Sequence, residues 1–252
     1  MNQPTDPSNP TSPSRAGAPP PPLPTPPPPL PPDAGPGLII ETLLKRPAQL
    51  IDALLQPGGG HSSIWLAAVA LLALAAYGLV VGTFSGGEQI IAAPLKISLG
   101  ALFSMLICLP SLFIFACLTG ADVTLRGTIG VLCAVLALTA MLLIGFAPVA
   151  WVFSQSTDSA VFIGALHLIF WLIALGFGLR LLRTFMDLLR VRDRVHLKVW
   201  TCIFILVSLQ MTTALRPIIG TSPQRLPSEK KFFLEHWFEN LSGKGQPASA
   251  TR

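Results

Sequence analysis

Of the 252 residues, 51% are hydrophobic and only 12% charged, about half the charged share of ordinary soluble domains, which excludes a water-soluble globular fold. The net charge of +5 does not make a nucleic-acid face, because the Lys and Arg side chains flank apolar runs instead of sharing one solvated surface. Anionic lipid headgroups are the expected counterpart, drawing each juxtamembrane cation by ~1 kcal/mol.

Residues 1–37 form the first region, and residues 1–36 hold 16 of the 25 prolines, including "PPPPLPTPPPPLPPD". Such sequence cannot bury a core, so a disordered, solvated polyproline II tail is expected, free to dock in the aromatic groove of a protein partner. It lacks the basic start and apolar run of a signal peptide, so the first membrane helix is expected to act as the insertion signal.

Residues 38–57 follow, with Ile40, Leu43, Leu44, Pro47, Leu50, Ile51, Leu54 and Leu55 recurring at helical spacing. One apolar face opposite Glu41, Lys45, Arg46, Gln49 and Asp52 predicts an amphipathic helix lying along the membrane surface. Pro47 either kinks it or starts a second short helix.

Five apolar spans are then expected within residues 62–216: 64–84, 97–118, 128–153, 159–179 and 199–215. At ~1.5 Å per residue most reach the ~20 residues that a ~30 Å hydrocarbon core requires. The fifth is short, with 17 residues between Lys198 and Arg216, and needs outward-reaching basic side chains and local bilayer thinning. The fold class is therefore an all-α, polytopic membrane bundle of five transmembrane helices with interfacial amphipathic helices. The segment 180–198 carries six positive residues and prolongs the fourth span along the interface, whereas the 154–158 loop carries none. This asymmetry places the amino terminus inside and the carboxyl terminus outside. Residues 217–252 form a carboxyl-terminal tail with an amphipathic helix expected at about 228–241. A bacterial inner membrane is the expected location, with a eukaryotic endomembrane as the alternative.

Several intramembrane features are candidate sites. Pro110 and Pro148 interrupt the second and third spans and are expected to kink them. Gly78 and Gly82 form a GxxxG that suits close helix packing, within the chain or in a homo-oligomer. His167 is the histidine deep within a span, and it is expected to stay neutral, hydrogen-bonded to Gln210 or a threonine. In the fifth span, with Ser208 at zero and ~100° per residue, Thr212 falls near ~40°, Arg216 near ~80°, Thr213 near ~140° and Gln210 near ~200°. These polar groups cannot face lipid cheaply, so they should face the bundle and bond the carbonyls beside Pro148 or Pro110. The loop "FSGGEQIIAAP" is open to a re-entrant reading. Cys108, Cys117, Cys133 and Cys202 sit in apolar runs without metal-ligand spacing, and no HExxH, GxSxG, Walker or Rossmann signature occurs. No enzyme activity, metal or cofactor is expected.

The order of elements, with "LLKRPAQLIDALL" before five spans, resembles the Yip1 domain proteins, in which an amphipathic segment with a central proline precedes five membrane helices. The resemblance covers residues 38–216 in layout and transfers no functional residue. It implies a non-enzymatic organiser of membranes or anchor of partners. More loosely, the polyproline tract before "LLKRP" is similar to polyproline and WH2-type actin-binding proteins. The competing expectation is a small-solute transporter or channel subunit using the proline-containing spans.

Overall fold

The computed structural model describes residues 28–31, 33–85, 87, 89–118, 120–157, 159–189 and 195–214. Seven α-helices form over them: α1 Pro36–Lys45, α2 Pro47–Leu55, α3 Gly60–Ser85, α4 Gln89–Leu118, α5 Leu125–Ser156, α6 Ala160–Leu188 and α7 Val195–Ala214. No strand occurs among the described residues. The polyproline stretch 1–27, Arg190, Arg192 and Arg194, Arg216 and the tail 217–252 with its expected helix lie outside them.

The segment 38–57 resolves Pro47 as a helix start. Arg46 leaves helical geometry at φ −141° and ψ 60°, and Pro47 takes the first position of α2, where a missing N–H goes unused. The apolar face is consumed by protein: Ile39 and Leu43 of α1 and Leu50, Ile51 and Leu54 of α2 are buried. α1 packs on α3 and α5, and α2 on α5 and α6. The pair therefore lies across one end of the bundle, with Leu38 and Leu44 left exposed. Gly59 turns the chain from α2 into α3, and a Cβ there would stand 2.5 Å from the Leu54 carbonyl oxygen.

Four helices are long and apolar enough to cross a membrane: Gly60–Phe84, Ile90–Leu118, Leu125–Ser156 and Phe162–Leu188. They mark an integral membrane protein. Their outward faces are as apolar as a core, with Ile64, Leu72, Ile91, Leu106, Ile107 and Leu118 exposed. α7 has a shorter apolar run, Leu197–Met211. The boundary of α4 differs from expectation. α4 starts at Gln89, so within the loop open to a re-entrant reading Gln89 to Pro94 are helix, with Gly87 before them at φ +53°. α6 runs on to Leu188, and its last turns bury Leu181, Leu182, Phe185 and Met186. Helix starts are capped where the sequence offers a hydroxyl: Gly127 N–H donates to Thr124 Oγ1 at 3.1 Å, and Phe162 N–H to Ser159 Oγ at 3.3 Å.

Lipid is as apolar as leucine, so close backbone contact and polar bonds must hold the helices together. α3 and α5 make the most extensive contact; α4 packs on α3, α6 on α5, and α7 on α4. Glycines set the approach. A Cβ on Gly130 would stand 2.7 Å from Ser63 Oγ, one on Gly78 2.5 Å from Pro94 Cα, and one on Gly178 2.5 Å from Thr139 Oγ1. Phe146 of α5 stacks on Phe170 of α6 at 4.8 Å. α5 is central, with 61% of its most apolar window buried against 28% in α4.

These contacts fix relative heights. Gly60 beside Arg126 and Ser63 beside Gly130 follow the same order on both helices, so α3 and α5 are parallel and Trp65 comes level with Leu132. Trp151 is then 151 − 132 = 19 residues further along α5, or ~28 Å at ~1.5 Å per residue. Trp65 marks one rim, and Trp151, Phe153 and Phe162 the other, all exposed. That separation matches the ~30 Å hydrocarbon thickness between aromatic belts.

Candidate functional site

Two places inside this apolar bundle join polar groups of different helices by side-chain hydrogen bonds. The first is the α4–α7 pair. The Trp200 indole N–H donates 3.0 Å to the Cys108 carbonyl oxygen, both buried, and Trp200 stacks on Phe204 at 5.1 Å. The same carbonyl accepts the Ser111 hydroxyl at 2.8 Å. The carbonyl two residues before Pro110 is thus bonded by an indole from the opening turns of α7. Trp200, Phe204 and Ser208 are buried at intervals of four, which is the stripe a helix turns towards its neighbour.

Alternation of helix direction makes α7 antiparallel to α4. Gln210 stands ten residues after Trp200, and Ser98 ten before Cys108, so the two share one depth. That depth follows from Gly78 over Pro94: Ser98, four residues past Pro94, is level with Leu74, four before Gly78. Leu74 lies nine residues above Trp65, ~14 Å and half the ~28 Å slab. Ser98 Oγ and Gln210 Oε1 are both sealed from the surroundings and without a hydrogen-bond partner among the described residues. Each such orphan costs ~1–3 kcal/mol. Serines elsewhere in α4 avoid this by bonding back along the helix, as Ser104 does to the Gly100 carbonyl at 2.8 Å.

The second place is the α3–α6 contact. The Tyr77 hydroxyl and His167 Nδ1 share a hydrogen bond of 2.6 Å, with the rings edge to face at 5.5 Å. Among the described residues, the hydrogen-bond partner of His167 is Tyr77. α6 packs on α5 and α7 on α4. Ser208 is buried, with Gln210 on the flank of the same helix. The side chains of Thr212 and Thr213, and all of Arg216, lie outside the described residues.

α4 continues through Pro94 and Pro110, and α5 through Pro148. Pro110 and Pro148 are exposed, so both rings lie on the outside of the bundle. Gly78 is spent on α4 of the same chain, and Gly82 is buried. The contributors that sequence reasoning passed over are Tyr77, Trp200 and Ser98. Tyr77 carried a signal, being the one tyrosine of the chain set in a span whose other polar groups bond locally. The four cysteines are unpaired thiols, Cys108 and Cys133 buried, Cys117 and Cys202 exposed.

Charge is collected at one end. Lys45 and Arg46 on α1, Arg126 opening α5, Arg180 and Arg183 in the last turns of α6, and Lys198 opening α7 all belong to the end covered by α1 and α2. Lys96, near the start of α4, is the exception among the described residues. No protein-family model matches the chain, and neither does any curated protein or solved structure.

Proposed function

We propose that this protein is a non-enzymatic organiser of its membrane or anchor of partners, with five spans and a polyproline arm on the cytosolic side. What supports the reading is how the base of that arm is held. Gln49 of α2 donates its side-chain amide to the Pro28 carbonyl, Ala34 is buried, and Leu30 packs against the core. A platform seated across the bundle end thus presents the arm at a fixed place. Collection of basic residues at that end supports an amino terminus inside, by the positive-inside rule. The Yip1-like order of a proline-centred amphipathic pair before the spans, and a bacterial inner membrane, belong to the same proposal. α7 counts as the fifth span because it packs along α4 down to mid-depth.

The test is cross-linked affinity purification from native membranes with residues 1–27 deleted, which spares the Gln49 contact with Pro28. Partners should be lost while insertion is intact; an unchanged partner set defeats the reading. A second reading, a small-solute transporter or channel subunit, is favoured by the orphaned Ser98 Oγ and Gln210 Oε1 at mid-depth, since a polar solute or water would satisfy both. Cysteines placed at positions 98 and 210, in a background freed of the native four, should then react with soluble thiol reagents. Complete inertness of both would sink it.

A further inference from the structure

Between the first turns of α3 and α5 lies an open cleft of about 710 Å³, lined by Pro57, His61, Ile64, Arg126 and Ile129 among others. Its chemistry is graded. Arg126 donates from Nη1 to the Pro57 carbonyl at 3.2 Å, which fixes the guanidinium and leaves most of its N–H groups for another acceptor. The Trp65 indole N–H donates to His61 Nε2 at 3.1 Å, so the imidazole holds its proton on Nδ1, a second donor. One turn deeper on each of the two parallel helices stand Ile64 and Ile129, and Ile64 is 71% exposed. Donors and a cation thus occupy the end outside the Trp65 rim, and the isoleucines stand closer to that rim, on the side nearer the bilayer centre.

We propose that this cleft binds one anionic phospholipid, its phosphate between Arg126 and His61 and an acyl chain along Ile64 and Ile129. A diffuse basic surface attracts such lipids without holding any one of them; here a positioned guanidinium, a positioned imidazole donor and an apolar trough match the parts of one molecule in order. The site is independent of whether the protein anchors partners or moves solutes.

Native mass spectrometry of the full chain in phosphatidylglycerol-containing detergent measures it, with phosphatidylcholine as the neutral control. Arg126→Gln should reduce retained phosphatidylglycerol about five-fold, the effect of one interfacial cation. Arg126→Lys should keep most of it, and Arg183→Gln, at the same end but outside the cleft, should leave it unchanged. Equal losses for Arg126→Gln and Arg183→Gln, or none for either, overturn the proposal. Displacement of the lipid by inorganic phosphate at similar concentration would also overturn it, by making this a soluble-anion site.

Discussion

Replacing Gly78 with alanine tests the closest helix contact in the bundle. The added Cβ would stand 2.5 Å from Pro94 Cα and 2.9 Å from Pro94 N, where carbon pairs rest at ~3.5–4.0 Å. α3 and α4 must therefore part by about 1–1.5 Å at their crossing, since the obstacle is backbone and cannot rotate away. Overpacking of this kind costs ~1–3 kcal/mol. The better helix propensity of alanine returns at most ~1 kcal/mol. Gly145→Ala on α5 supplies the control, because nothing lies within 4 Å of its Cβ position; it takes the propensity gain with no clash. Unfolding by sodium dodecyl sulfate in mixed micelles, followed by circular dichroism, should place Gly78→Ala ~1–3 kcal/mol below Gly145→Ala. Equal midpoints for the two variants would refute the close approach of α3 and α4.

Trp200→Phe and Tyr77→Phe each remove one interhelical hydrogen bond and should each lower stability by ~0.6–1.7 kcal/mol in the same assay. Trp200→Phe should fall at the low end, because the Cys108 carbonyl keeps its Ser111 partner; Tyr77→Phe strips His167 Nδ1 of its partner and should cost more. Glu41 hydrogen-bonds Lys45 at 2.9 Å, and that cation holds its carboxyl below the ordinary carboxylate value of 4.5. A depressed folded value stabilises α1 above the unfolded value, and the support fades as pH falls through the folded one. The protection of α1 amides, relative to their intrinsic exchange rate at each pH, should therefore fall as pH drops below the ordinary value of 4.5 in the wild type, and Glu41→Gln should flatten that dependence. An unchanged profile would show that the pair contributes nothing.

The elements were legible where polarity changes along the chain, and the packing was not. The split at Pro47 and the buried face of Leu43, Leu50, Ile51 and Leu54 could be read, since amphipathic periodicity and a missing N–H leave a one-dimensional trace. The span read from Ile97 follows the apolar run, whereas α4 begins at Gln89, since proline in a membrane helix is tolerated where neighbours satisfy the freed groups. Helix order was invisible. A helix apolar all round shows no stripe pointing to its neighbour, so nothing in α4 announces that Pro94 receives Gly78 or that the Cys108 carbonyl receives Trp200. The pairing of Tyr77 with His167 joins residues 90 apart, and polarity alone ranked Gln210 and the threonines ahead of a phenol.

The seat of α2 also bears on biosynthesis. Leu54 and Leu55 rest on Gly130 and Gly127, which follow them by some 75 residues. At ~5–20 residues per second the ribosome needs ~4–15 s to supply that seat. Through this interval α3 can cover part of α1, but the face of α2 that α5 will cover lacks that seat, and the surface of the bilayer is an apolar shelter within reach. The lipid interface thus serves α1 and α2 as a waiting room during insertion, and the arrival of α5 calls them off it.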